Sequence, residues 1–133
     1  MNASISYQGN LLEINNFSYS AEDAKNGNPY NCSFDLYVKS GMFSGVAPCE
    51  YDIKDFRRFI SELDELYNFK RDLVSFNEIC YGSKMIFSLD KYGHIVIEGS
   101  IFGEAMEHSL KFSSFEIDQT FLLSFINQLN LLI

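Results

Sequence analysis

The residues able to do acid–base, nucleophilic or metal chemistry are present in this chain but are not gathered. His94 and His108 are its only histidines, and they fall on different expected strands. A zinc site needs three or four ligands, often closely spaced. His94, Glu98 and Glu104 could converge in space, yet nothing in their spacing asks for it, and polar hairpin positions explain them as well. Cys32, Cys49 and Cys80 are an odd, widely spaced set with no C-x-x-C pair and no neighbouring histidine to serve as a base. They read as small buried thiols in a reducing compartment. The glycines form neither a phosphate-binding loop nor a nucleophile elbow. Glu22-Asp23 and Asp64-Glu65 sit in an expected loop and on the polar side of an expected helix, where solvation accounts for them. The residues therefore predict no enzyme, no catalytic residue, no metal and no cofactor, and instead a protein that acts by binding.

One cluster, Asp118-Gln119-Thr120, looks chemical and reads as architecture. Asp118 is placed to cap a helix, with Gln119 and Thr120 in its first turn and Ile117 able to staple onto Leu122. Phe121, Leu122, Phe125, Ile126, Leu129 and Leu132 then recur at helical spacing. An earlier segment follows the same scheme. There Asp52 is the cap, Asp55 the capping-box acid, and Tyr51 and Phe56 the staple. Ile53, Phe56, Phe59, Ile60, Leu63 and Leu66 form the apolar face, and the helix is expected to stop near Asn68. Two helices that leave a strand and pack on one sheet need the same cap and face. The second is the more apolar and is expected to lie deeper.

The remaining elements are strands. "SISY" and "LLEINNFSY" open the chain, and Ser20–Asn31, with its Asn-Gly and Asn-Pro pairs, reads as a loop. Phe34, Leu36 and Val38 alternate with Asp35, Tyr37 and Lys39. A strand around "MFSGVAPCEY" leads into the first helix. "LVSFNEICYG" and "SKMIFSLD" follow, then a "DKYG" turn and "HIVIEGSIFG". In the last strand, Leu110 and Phe112 fall out of phase with Phe115 and Ile117, and a β-bulge at Ser113-Ser114 would bring all four to one side. The expected fold is α+β: a mostly antiparallel meander sheet of about six to seven strands, with two helices on one face.

Composition sets the outer limits. The 133 residues, 47% hydrophobic and 16% aromatic, suit a single domain over 1–133 with a substantial core. A net charge of −8 with scattered Lys and Arg argues against nucleic-acid binding. An acidic surface either serves solubility alone or attracts a basic partner. With no long apolar run and no basic–hydrophobic start, the chain is expected in the cytoplasm, away from membranes.

Three segments carry a resemblance. "DIKDFRRFISELDELY", "DKYGHIVIEGSIFG" and "LKFSSFEIDQTFLLSFINQL", in that order, are similar to the WapI family of bacterial immunity proteins, and Phe-Glu-x-Asp-Gln-Thr-Phe-Leu is the most specific part. The resemblance implies a cytosolic protein that neutralises the toxic C-terminal domain of a cognate toxin, often a nuclease with a basic cleft. It carries no catalytic residues. With both helices on one face of the sheet, the other face would present Asp35, Tyr37, Lys39, Lys84, Ser88, Glu98, Ser100 and Glu116. Of these, Asp35, Tyr37, Glu98 and Glu116 are the candidate partner-binding residues, because tyrosine gives contact area at low entropic cost. An ordinary solvated face explains the same pattern. The alternative function is a ligand-binding or scaffolding domain, and an exposed edge strand is compatible with a homodimer.

Overall fold

A computed structural model of the chain describes residues 1–105 and 107–133, apart from the side chain of Ser114. The elements run β1 (Ala3–Tyr7), β2 (Asn10–Tyr19), α1 (Ala21–Lys25), β3 (Cys32–Ser40), β4 (Phe43–Tyr51), α2 (Ile53–Tyr67), β5 (Leu73–Asn77), β6 (Lys84–Leu89), β7 (His94–Phe102), β8 (Ser109–Asp118) and α3 (Thr120–Leu132). The fold is α+β and its strands meander antiparallel. They form two four-stranded sheets, β1-β2-β3-β4 and β5-β6-β7-β8, rather than one sheet of six or seven. An alternating pattern looks the same in either arrangement; what separates the sheets is α2, which ends the first meander before β5 begins another. No helix among the described residues is long and apolar enough to cross a membrane.

Each sheet buries one face. Leu12, Ile14, Phe34, Leu36, Val38 and Ala47 line the first, and Val74, Phe76, Met85, Phe87, Ile95 and Ile97 the second, all in one continuous core. Aromatic rings join the two: Tyr51 stacks on Phe76 at 4.9 Å, and Phe34 lies 6.1 Å from the same ring. The helices cross over between halves. α2 follows the first sheet and packs on β5, α3 follows the second and packs on β1, and the two helices touch each other.

The helix starts match as the sequence predicts. Asp52 and Asp118 each accept the N–H of the second residue onward, Lys54 and Thr120, at 3.0 Å. Asp118 also accepts the Thr120 hydroxyl at 2.9 Å. Gln119 already has helical backbone angles, so Asp118 does the capping although the regular helix begins at Thr120. The Tyr51–Phe56 staple forms, with ring centres 6.1 Å apart. Asp55 does not complete a capping box; it turns to Arg58 at 2.8 Å.

Two further expectations are corrected. α3 is not the deeper helix: it buries Leu122, Phe125, Ile126 and Leu129, whereas α2 buries six residues. Phe121, expected on the buried face, is instead exposed, as are Leu123 and Leu131, so the extra apolar residues of α3 lie outward. The Ser20–Asn31 segment holds the short helix α1, started by the Ser20 hydroxyl accepting the Asp23 N–H at 3.2 Å. The loop is fastened by buried Asn31, whose Oδ1 accepts the Ile53 N–H at 2.7 Å and so adds a second cap to α2.

The expected bulge is present. From Ile97 to Gly99 β7 advances two residues, while β8 advances three, from Phe115 back to Phe112. Phe112, Phe115 and Ile117 are thereby all buried, with Leu110 partly so. β2 carries a matching irregularity between Asn15 and Ser18, where Asn16 takes φ 56 and Phe17 turns onto Phe34 and Phe56.

Candidate partner-binding surface

The four candidate residues fall on two outer faces. Asp35 and Tyr37 project from β3, opposite Asn15 and Glu13 of β2 and opposite Pro48 and Val46 of β4. Asp35 accepts the Asn16 amide at 2.8 Å, so the β2 bulge orients this carboxylate. Glu13 accepts from Asn2 at 3.0 Å and from Asn15 at 2.8 Å. This face is a tyrosine and a valine bordered by two oriented carboxylates.

Glu98 and Glu116 lie on the outer face of the second sheet, and no single face joins them to Asp35 and Tyr37. Glu98 is paired with Ile86, and Glu116 with Val96. Ser100, expected outward, has that orientation but is buried beside Lys84 and Lys111. A groove of about 390 Å³ runs here, with Lys84, Lys111 and Glu98 around it and Met85 and Phe112 in its floor. Gly99 lets β6 and β7 approach closely here: a Cβ there would stand 2.2 Å from the Lys84 carbonyl oxygen.

At the end of this face His94 Nδ1 lies 2.6 Å from Glu116 Oε1 and 3.8 Å from Asp90 Oδ2. Ligand atoms of Asp90, His94 and Glu116 all fall within 4.8 Å, so these residues, and not the Glu98 and Glu104 weighed from sequence, are the ones that could jointly hold a cation. The group has other duties. Asp90 Oδ1 accepts the Tyr92 and His94 N–H groups at 2.8 and 2.9 Å and shapes the hairpin turn. Partial burial works against the Asp90 charge, but the His94, Tyr92 and Gly93 N–H groups and the His94 ring outweigh it and hold the carboxyl below its ordinary range. Asp118, opposite His94, is held low by the Thr120 N–H and hydroxyl.

Two features escaped sequence reasoning. Glu78, in an expected strand, is a buried carboxylate that accepts four N–H groups. Three come from Cys80, Tyr81 and Gly82 in its own loop, and the fourth from Glu50 of the other sheet at 2.9 Å. It fixes the seam between the halves, and it pushes the Glu50 carboxyl up, second only to burial in doing so. The second feature is the β3–β4 hairpin tip, where Met42 is 97% and Phe43 71% exposed, close to Val46 at 60%. Phe43 and Val46 lie on opposite faces of β4, and the alternation rule, which reads both as ordinary strand residues, gives no sign of their exposure.

Cys32 and Cys49 are buried as expected, whereas Cys80, in the loop after β5, is exposed. Burial, and then the neighbouring Asp52 charge, push the Cys32 thiol up to about 11. Burial, and then the Glu78 charge, raise that of Cys49. Thiols held protonated are poor nucleophiles.

In the comparisons, no curated protein matches the chain. A solved structure of similar fold is that of MRP1/MRP2 from Trypanosoma bruciei, with a TM-score of 0.53 and 9% identity over 99% of this chain and 81% of that one. At such identity the likeness shows the fold alone. The immunity protein WapI-like family matches residues 5–133, so the likeness carried by the three C-terminal segments extends through β1 to β4 as well. By a match of that length the chain belongs to the immunity protein WapI-like family.

Proposed function

We propose that this protein is a cytosolic, non-catalytic immunity protein that neutralises a cognate bacterial toxin domain by direct, stoichiometric binding. The toxin domain is basic, and a nuclease is the expected kind. The observation that carries this reading is the family match over residues 5–133. The net charge of −8 supports it, because opposite potentials speed the capture of a basic partner and direct its docking. The oriented carboxylates Glu13 and Asp35 beside Tyr37 and Val46 offer such a partner both charge and apolar area. The groove between Lys84, Lys111 and Glu98 favours the second reading, a small-ligand or scaffolding domain.

Titration calorimetry against the toxin C-terminal domain encoded immediately upstream, at two salt concentrations, tests the first reading. Tight binding that weakens with salt is the expected result. Tight binding indifferent to salt keeps the inhibitor and moves its contacts to apolar residues. No binding at micromolar protein removes direct inhibition for that pair and favours the groove.

A further inference from the structure

The β3–β4 hairpin turns through Gly41 and Met42, with Ser40 opposite Phe43. Gly41 has φ 64, as the first central position of a type II′ turn requires. In a two-residue hairpin the closing pair exchanges its backbone hydrogen bonds, and every second pair beyond it does the same. Phe43, Gly45, Ala47 and Cys49 therefore spend their backbone groups on β3. Ser44, Val46, Pro48 and Glu50 turn theirs to the outer edge of β4. Glu50 bears this out: its N–H donates to Glu78 at 2.9 Å, and its carbonyl accepts the Ile79 N–H at 3.2 Å. Pro48 has no N–H to offer and stops a ladder there. Ser44 and Val46 remain, both exposed, and among the described residues their N–H groups donate no hydrogen bond.

The other edges are managed. α3 packs on β1, and the Ser4 N–H donates to Gln128 at 3.0 Å. α2 packs on β5. The bulge breaks the run of β8. At Ser44–Val46 the described residues show two outward N–H groups without an acceptor and one exposed apolar side chain, Val46, beside the ends of β7 and β8.

We propose that this stretch of β4 pairs with an extended strand of the toxin domain, which adds a fifth strand to the first sheet. The proposal rests on the toxin-binding reading above and gives it a location. The occupant follows from the chemistry of the edge. Donors and acceptors repeat at two-residue spacing, which only another extended backbone matches, and the protein's negative charge opposes nucleic acid. Phe43 and Val46 supply apolar contacts. A depression of about 230 Å³ between Val46 and Leu110 can receive one alternate side chain of the incoming strand. On the outer face Asp35 neighbours Pro48, and Glu50 lies just beyond, so basic residues on the incoming strand are favoured.

Val46→Pro tests the proposal without touching the β3–β4 ladder, because the N–H it deletes points outward, as Pro48 already does on the same edge. Its circular dichroism and Tm should match the wild type. Val46→Thr keeps the N–H and the branched shape. The expected result is that the wild type and V46T bind the toxin domain alike, while V46P binds at least about tenfold more weakly, the effect of one lost hydrogen bond. Hydrogen exchange should show the Ser44 and Val46 amides fast in the free protein and slowed in the complex. If V46P binds as the wild type does and these amides stay fast in the complex, the edge is not used, and the immunity function stands without it. Protection that grows with concentration in the free protein would give the edge to a second copy and overturn the proposal. If the wild type fails to bind, the toxin reading and the strand proposal fall together.

Discussion

In the first half of the molecule α2 buries six side chains and turns Arg58 and Glu65 to water, whereas in the second α3 buries four and leaves Leu123, Leu131 and Ile133 exposed. Both helices start with the same aspartate geometry and follow the same four-strand meander. The difference shows that apolar content does not measure depth. Through Phe56 and Phe59, α2 meets Phe17, Phe34 and Tyr51 on one side and Phe76 and Phe87 on the other, and so fills the space between the sheets. α3 rests on β1, with the exposed ring of Phe121 against Tyr7 at 5.2 Å.

If that contrast is right, core truncation should cost more in the first half. Phe56→Ala should lose about 4 kcal/mol and Leu122→Ala about 3 kcal/mol in urea unfolding, since the larger ring leaves the larger cavity. The reverse order would mean that the core is centred on α3. The seam should rank next. Glu78→Ala strands four backbone donors and should cost about 3 kcal/mol, whereas Gln119→Ala, which loses one bond to the Tyr67 carbonyl, should cost about 1 kcal/mol. Equal losses would show that the halves are joined as firmly by α3 as by Glu78.

The caps give a smaller and pH-dependent effect. The folded pKa of Asp118 lies below its ordinary value of 3.8, so its contribution is fully present above that value and lost as pH falls through the lowered one. Asp118→Asn should therefore lower Tm at neutral pH, and the gap should close in acid. A gap that stays constant however far the pH is lowered would show that the charge is not what the cap uses. Smallest is a reactivity difference: at pH 8, iodoacetamide should modify exposed Cys80 and spare buried Cys32 and Cys49 until the protein unfolds. Modification of two thiols in the native protein would show that the first half opens more readily than its packing implies.

What could be read from the sequence was local. The helix register, the aspartate caps, the Tyr51–Phe56 staple and the β8 bulge all depend on residues within a few positions of one another. The misses are long-range. Alternation does not say which sheet a strand joins, so it puts Asp35 and Glu98 on one face where the fold puts them on two. Glu78 looks like any polar strand residue until the Glu50 N–H arrives from the other sheet. The open edge at Ser44–Val46 needs both the hairpin register and the position of β4 at the rim of its sheet. Tyr37 was singled out from sequence, and it stands beside that edge, opposite Val46.

The crossing of the helices has a consequence for how the chain is made. α3 covers β1, and Gln128 accepts a hydrogen bond from Ser4 across 124 positions. During synthesis the first sheet is complete long before its cover has left the ribosome. Until then the Ser4 edge and the β1 flank of the core stay open to whatever is nearby. Closing over such a separation is also slow compared with local contacts. The nascent chain should therefore emerge with a finished but uncovered first sheet waiting for α3, and protease resistance should arrive in one late step after Leu132 has emerged rather than half by half.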